Sequence, residues 1–294
     1  MAADPPHIDE SLAQRLIADQ FPQWADLAIR PVRTSGHDNR TFHLGHEMSI
    51  RLPSAARYAT HVEIEQTWLP RLAPQLPLPI PVPLAMGEPS AEYPWPWSIN
   101  PWLAGENAAL ERINDLQEFA VHLARFLNAL QLIDATGAPA PGRDNFFRGG
   151  ELSVYERETR ESIGELRDLI DAPAATALLE AALATKWDRD LVWIHGDVAV
   201  GNLLTDDRGK LCAVIDFGQL AAGDPACDLT IAWTLLAGPS RQTFRKERTI
   251  DDATWARGRG WGLWKALLQL RQHRNHRDNE AASALAVINE ILAD

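Results

Sequence analysis

Residues 191–228 read LVWIHGDVAVGNLLTDDRGKLCAVIDFGQLAAGDPACD, and their alternation of apolar and polar segments decides the fold. Residues 191–194 are apolar and β-prone, and residues 211–215 form a second short apolar run. Each run delivers the chain to an aspartate, Asp197 or Asp216, and Asn202 stands five positions after the first. Side chains at strand ends are held rigidly at a surface, where chemistry can use them. Two carboxylates and an amide form an oxygen-only donor set, which suits Mg2+ better than zinc.

The spacing His195-Gly196-Asp197, four residues, Asn202, then Asp216-Phe217-Gly218 matches the phosphoryl-transfer template of protein kinases. A nucleoside triphosphate brings about four negative charges, so hard oxygen ligands must hold Mg2+ against it, and a separate carboxylate must face the acceptor hydroxyl. Gly196 stands where protein kinases carry Arg, and Gly223-Asp224-Pro225 and Asp228-Leu229 follow downstream. With those features the stretch resembles the aminoglycoside phosphotransferase family.

The resemblance implies an α+β, two-lobed protein-kinase-like fold. A small N-lobe, an antiparallel sheet with one helix, is expected over residues 1–101, and a larger, mostly helical C-lobe over 102–294. It implies an ATP-dependent enzyme, with GTP as a possible alternative and Mg2+ as cofactor, which phosphorylates a hydroxyl of a small molecule. Asp197 would be the catalytic carboxylate, and Asn202 and Asp216 the metal ligands. His195 is read as a structural hydrogen-bonder rather than a proton carrier. Asp224 reads as a cap or loop organiser, and Asp228 as the N-cap of a helix over 229–236.

Composition sets the outer limits. The chain has 294 residues with 46% hydrophobic content, enough for a sizeable core in one large domain or two lobes. A formal charge of −12 argues against a nucleic-acid or anionic-membrane partner and suits a cationic substrate. Cys212 and Cys227 form no metal-type pair, which points to a reducing compartment. No stretch approaches the roughly 20 apolar residues of a membrane span, and the N-terminus lacks an apolar signal core. The expectation is a cytoplasmic protein, monomeric or weakly dimeric, with a small hydroxylated molecule as its partner.

In chain order, the periodicity predicts a helix over 9–20 and strands within 27–52. By resemblance, the turn Ser35-Gly36-His37-Asp38-Asn39 would close over the phosphates, with Ser35, Gly36 and Asn39 as contacts. The family pairs a strand cation with a helix carboxylate. Glu65 matches that carboxylate, on a helix predicted over 60–72, and Arg51 takes the position usually held by Lys. The Pro-rich run 74–87 reads as a rigid lead into a buried strand over 82–86. The lobe-joining hinge of the family falls near residues 93–103, which implies nucleotide-base contacts from Asn100, Trp102 or Leu103, since Pro101 has no N–H to give.

The clearest helix lies at 114–133, where apolar residues follow the i, i+3, i+4, i+7 rule. Helices are also expected at 151–170, 173–185, from Asp251 or Asp252 to about 270, and 280–292. The family binds its acceptor on C-lobe helices and loops, which makes Asp251, Asp252 and Trp255 substrate candidates. An aminoglycoside-type antibiotic is the favoured acceptor; macrolides, or metabolites such as choline, homoserine or sugars, are alternatives. Two other classes remain. One is a nucleotide-binding scaffold without activity, suggested by Arg51 and the glycine-poor turn. The other is a metallohydrolase built on His195, Asp197 and Asp216.

Overall fold

The computed structural model describes residues 7–32, 36, 38–274 and 279–294. Its first helix, α1 (Glu10–Gln20), starts where Asp9 accepts the Leu12 N–H at 2.8 Å, and it buries Leu12, Ala13, Leu16 and Ile17 on one face. That face covers a five-stranded antiparallel sheet made of β1 (Ile29–Pro31), β2 (Asn39–Leu44), β3 (Met48–Pro53), β4 (Ala85–Gly87) and β5 (Trp97–Pro101). The spatial order is β1-β2-β3-β5-β4.

Strand alternation sorts the side chains. Ile50 and Leu52 of β3 join Phe42, Leu44, Trp97 and Ile99 in the core under α1. Arg51, between them, must point to the other face, towards α2 (Ala59–Leu72). The far end of α2 belongs to a different core: Leu69 and Leu72, with Ile80, pack into the larger cluster below.

That larger cluster is built on helices. α3 (Leu116–Leu132) is capped by Asp115 and buries Phe119, Leu123, Phe126, Leu127 and Leu130. Around it lie α4 (Glu156–Glu165), α5 (Ala172–Leu183), α6 (Ile231–Thr234), α7 (Gly238–Glu247), α8 (Asp252–His273) and α9 (Asn279–Ala293). The small sheets that carry the site are the β6 (Glu106–Asn107), β8 (Leu203–Thr205), β9 (Leu211–Val214) ribbon and the β7 (Val192–Ile194), β10 (Ala221–Gly223) pair. No helix among the described residues is long and apolar enough to cross a membrane.

A small antiparallel N-lobe over a helical C-lobe is the architecture the sequence implies, with local departures. The helix expected over 229–236 is instead a 3-10 turn, Pro225–Thr230, running into the four-residue α6. Residues 151–170 give a 3-10 turn and then only the ten residues of α4. The helix α7 has no counterpart in the sequence reading, because its polar run (GPSRQTFRKE) lacks a wide apolar stripe.

The helix α8 is the axis of the C-lobe. It is buried on most of its circumference, and Gly258, Gly260 and Gly262 admit Leu229, Leu152 and Ile291 where side chains would collide. A helix so enclosed has little freedom to shift, so whatever it presents to the site is placed firmly.

Candidate active site

Asp197 and Asp216 emerge from β7 and β9 as their sequence pattern requires. The turn after β7 passes through Gly196 at φ +84°, and a Cβ there would lie 2.4 Å from the Gln219 carbonyl oxygen. Only glycine fits. The NH groups of His195 and Gly196 donate to the two oxygens of Asp228 at 2.9 and 2.8 Å. Asp228 is fully buried and therefore clamps the catalytic turn rather than capping a helix, which corrects the sequence expectation. Burial raises its carboxyl above the ordinary range, against the pull of His195 and those NH groups.

His195 is used on both ring nitrogens. Nδ1 accepts the Asp197 N–H at 3.2 Å, so the proton sits on Nε2, which donates to the Ile215 carbonyl at 3.1 Å. The ring thus ties the Asp197 turn to the residue before Asp216. No lone pair is left for a metal, which removes the metallohydrolase arrangement.

Asn202 donates through Nδ2 to the Asp197 carbonyl at 2.9 Å and to its carboxylate at 3.2 Å. This turns Asn202 Oδ1 away from Asp197, with no protein partner among the described residues. Asp216 sits at φ +65°, a left-handed conformation that Asp tolerates better than most residues. One of its oxygens accepts from Arg51 Nη2 at 3.0 Å, and the other has no protein partner among the described residues. Two oxygens thus remain for a hard cation, which fits Mg2+ completed by phosphate and water. Among the described residues no group of three or more His, Cys, Asp or Glu side chains forms a complete metal cage.

Arg51 does what the strand cation of the resemblance requires. Its Nη1 contacts both oxygens of Glu65 at 3.0 Å while Nη2 holds Asp216, and its side chain is 14% exposed. A lysine ammonium could not lay separate edges on two carboxylates in this way. Burial works against the charge on Arg51, but Glu65 and Asp216 outweigh it and raise its pKa.

The remaining expected positions divide. Ser35 lies outside the described residues. Gly36 accepts from Arg40 at 3.4 Å through its carbonyl, and Asn39 pairs with Pro53 in the β2–β3 register. Asp38, not singled out from the sequence, has its carboxyl raised by burial and then by the like charge of Asp216. Asn100 is 1% exposed on β5, and its amide finds no partner among the described residues. The Trp102 N–H is donated to the Glu47 carbonyl at 2.7 Å, so it is not free for a base, and its ring lies 4.1 Å from His43. Leu103 is half-buried just beyond.

The three substrate candidates are not brought to Asp197. Asp251 caps α8 and pairs with Arg189 at 2.7 Å; Asp252 pairs with Arg245; Trp255 is buried, its indole donating to Asp294. They occupy the N-terminal end of α8. The residue of α8 that reaches the site is Lys265, about 15 Å further along the axis than Trp255. Its Nζ meets Asp197 Oδ1 at 2.8 Å. Burial pushes the Asp197 carboxyl up, but Lys265, with Arg148 and His195, holds it below its usual value. The one available signal for Lys265 was a lone charge within an apolar run, Leu263-Trp264-Lys265-Ala266-Leu267.

Against known proteins, residues 29–261 match the model of the phosphotransferase enzyme family APH. No curated protein matches the chain. Among solved structures, the GDP and kanamycin complex of APH(2")-IIia is similar at TM-score 0.74 and 19% identity, covering 96% of this chain and 98% of that one. The streptomycin-ATP-APH(2")-IIa ternary complex is similar at TM-score 0.58 and 16% identity, with 98% and 97% covered. The macrolide 2'-phosphotransferase MphH from Brachybacterium faecium is similar at TM-score 0.63 and 20% identity, with 95% and 98% covered.

Proposed function

The chain belongs to the phosphotransferase enzyme family, and from that premise we propose that it moves the γ-phosphoryl group of ATP, or of GTP, to a hydroxyl of a small molecule. The observation that supports this most is the set Arg51–Glu65–Asp216 on one side and Asp197–Asn202 on the other. It separates a place for phosphate charge from a place for the acceptor proton. A scaffold without activity would have no need of both.

Asp197 orients the acceptor hydroxyl and takes its proton. Each carboxylate oxygen accepts two hydrogen bonds, so the contacts to Lys265 and Asn202 leave room for that hydroxyl. The acceptor oxygen bonds to the γ-phosphorus, the bond from phosphorus to the leaving diphosphate oxygen breaks, and the proton passes to Asp197. Asn202 Oδ1 and the free oxygen of Asp216 would hold Mg2+, which would supply charge neutralisation for the transferred group. Arg51, kept in place by Glu65, grips the donor phosphates from the N-lobe. Alignment and charge neutralisation carry most of the rate because the transition state is loose, so a weakly basic Asp197 suffices.

An aminoglycoside is the first acceptor to test, because two of the similar structures are complexes with kanamycin and streptomycin. A second acceptor class is favoured by one observation, the cations set against Asp197, and is taken up below. The test is nucleoside-diphosphate release with Mg-ATP or Mg-GTP across aminoglycosides, macrolides and small alcohols, with Asp197→Ala as control. Acceptor-dependent release that the control abolishes supports the reading. Bound nucleotide with neither transfer nor hydrolysis would overturn it in favour of a scaffold.

A further inference from the structure

Two C-lobe cations bear on the Asp197 carboxylate, Lys265 by direct contact and Arg148 through its charge. Lys265 makes the 2.8 Å contact from α8, with its side chain 32% exposed. It lies four residues beyond the stretch that matches the family, so the match itself assigns it nothing. Arg148 comes from the loop before α4 and is 6% exposed. Its Nε donates to Gln219 at 3.3 Å, while its two terminal nitrogens have no hydrogen-bond partner among the described residues. The guanidinium carbon stands 5.3 and 4.9 Å from the ring centres of Trp261 and Trp264. Both cations favour the charged form of Asp197, Lys265 more than Arg148, while Arg51 pairs with Asp216 instead.

The placement of Arg148 is backed by strain. Phe146, Phe147 and Gly149 all have positive φ, at 52°, 54° and 80°. For two aromatic residues that conformation is unfavourable and persists only where surrounding contacts impose it. They do: Tyr155 donates to the Phe146 carbonyl at 2.9 Å, and Asn145 bridges the Gly142 N–H and the Arg148 carbonyl at 2.9 and 3.0 Å. A nearly buried guanidinium with free donors, held by a strained loop beside an ammonium, is a built anion site. Glu158 is the carboxylate on this wall, and its Oε2 is taken by the Trp264 indole at 2.9 Å.

We propose that Lys265 and Arg148 form an acceptor subsite for an anion, so that the preferred substrate is a small hydroxylated molecule carrying a carboxylate or phosphate rather than a polyamine. The inference rests on the phosphotransferase reading. Donor phosphates are already met by Arg51 and the metal ligands, which leaves this second pair of charges for the other reactant. A net charge of −12 does not oppose it, since screened surface charge is a weaker influence than two cations at the reacting carboxylate. Trp261, Trp264 and Tyr155 pack on one another behind Arg148 and fix where its guanidinium stands.

The test uses one scaffold at several charges: glucuronate and glucose 6-phosphate, neutral glucose, and cationic glucosamine, with kanamycin as the polycation. Phosphoryl transfer is measured for the wild type and for Lys265→Gln, with thermal unfolding to confirm that the variant folds. If none of these is phosphorylated, the same order is read as inhibition of slow nucleotide hydrolysis. The expected result is a wild-type kcat/KM, or inhibitory potency, at least tenfold higher for anionic than for cationic probes, with that ratio falling at least tenfold in Lys265→Gln. Glucuronate against glucose 6-phosphate decides whether carboxylate or phosphate is preferred. A wild type that favours the cationic probes, or is indifferent to charge, overturns the subsite. So does a variant slowed equally on every acceptor, because Lys265 would then serve the transferred phosphoryl group. Absence of both transfer and nucleotide hydrolysis would instead defeat the phosphotransferase reading, and the subsite with it.

Discussion

Asp197 and Asp216 are each met by a cation from a distant element, and the two contacts differ in kind. Asp216 shares Arg51 with Glu65, so one buried guanidinium serves two carboxylates across 165 and 14 positions of sequence. Asp197 has Lys265 to itself on that oxygen, 68 positions away, in a half-open setting. The first is a three-part lock in which loss of Arg51 leaves the buried Glu65 carboxylate unpaired. The second is a single contact that a bound molecule can share or displace. On the proposed function, the first would hold the donor and the second would choose the acceptor.

The largest expected effect comes from breaking the aspartates themselves. Asp197→Ala should lower kcat by roughly 10²–10⁴-fold, the usual range for a positioned proton acceptor. Asp216→Ala should fall as far, by about 10²–10³-fold, because electrostatic stabilisation contributes as much as the base. Steady-state turnover of the two variants checks this; near-normal turnover in Asp216→Ala would remove it from the metal site.

Arg51→Met tests the lock next. It strands Glu65, whose side chain is 4% exposed, and should cost about 3–5 kcal/mol of stability by chemical denaturation. Arg51→Lys should fold better but raise KM for the nucleotide, since a compact ammonium lacks the planar fork that lays separate nitrogens on Glu65 and Asp216. Lys265→Gln should be far milder in stability, about 0–1 kcal/mol, as for an exposed pair. That contrast between two cation variants is the sharpest form of the comparison.

The smallest effect lies at the far end of α8. Asp251→Ala removes the Thr254 cap and should cost roughly 0.5–1 kcal/mol at neutral pH, with no change in acceptor choice. Burial raises the Asp251 carboxyl, but the Thr254 contacts and then Arg189 and Arg257 together outweigh it and hold it below its usual value of 3.8. A depressed folded-state pKa gives stability that is present above the unfolded value and lost as pH falls through the folded one. The gap between wild type and Asp251→Ala should therefore close below about pH 4, as measured by thermal unfolding across pH.

The same contrast explains what could be read from the sequence. The lock was legible in part: the resemblance set Arg51 of a strand against Glu65 of the next helix, and fixed spacing links Asp197, Asn202 and Asp216, whereas the contact from Arg51 to Asp216 spans 165 positions and comes only with the fold. Asp228 misled because an aspartate before an apolar run fits both a helix cap and a buried acceptor of NH groups; only tertiary packing chooses. Lys265 and Arg148 were not legible, since nothing near either residue tells which loop it will meet. For Asp251, Asp252 and Trp255 the resemblance pointed to C-lobe helices but could not say which end of α8 faces the catalytic carboxylate. Asn100 falls on the same face of the sheet as Arg51, yet its amide is enclosed, and strand parity alone carries no information on that.

The most direct measurement is mass spectrometry of the acceptor after incubation with nucleotide labelled with 18O at the γ-phosphate, for the wild type and for Asp197→Ala. The account predicts a labelled phosphate ester on a hydroxyl of the acceptor in the wild type and none in the variant. Label appearing only as inorganic phosphate with every acceptor, or equal ester formation in Asp197→Ala, would contradict it.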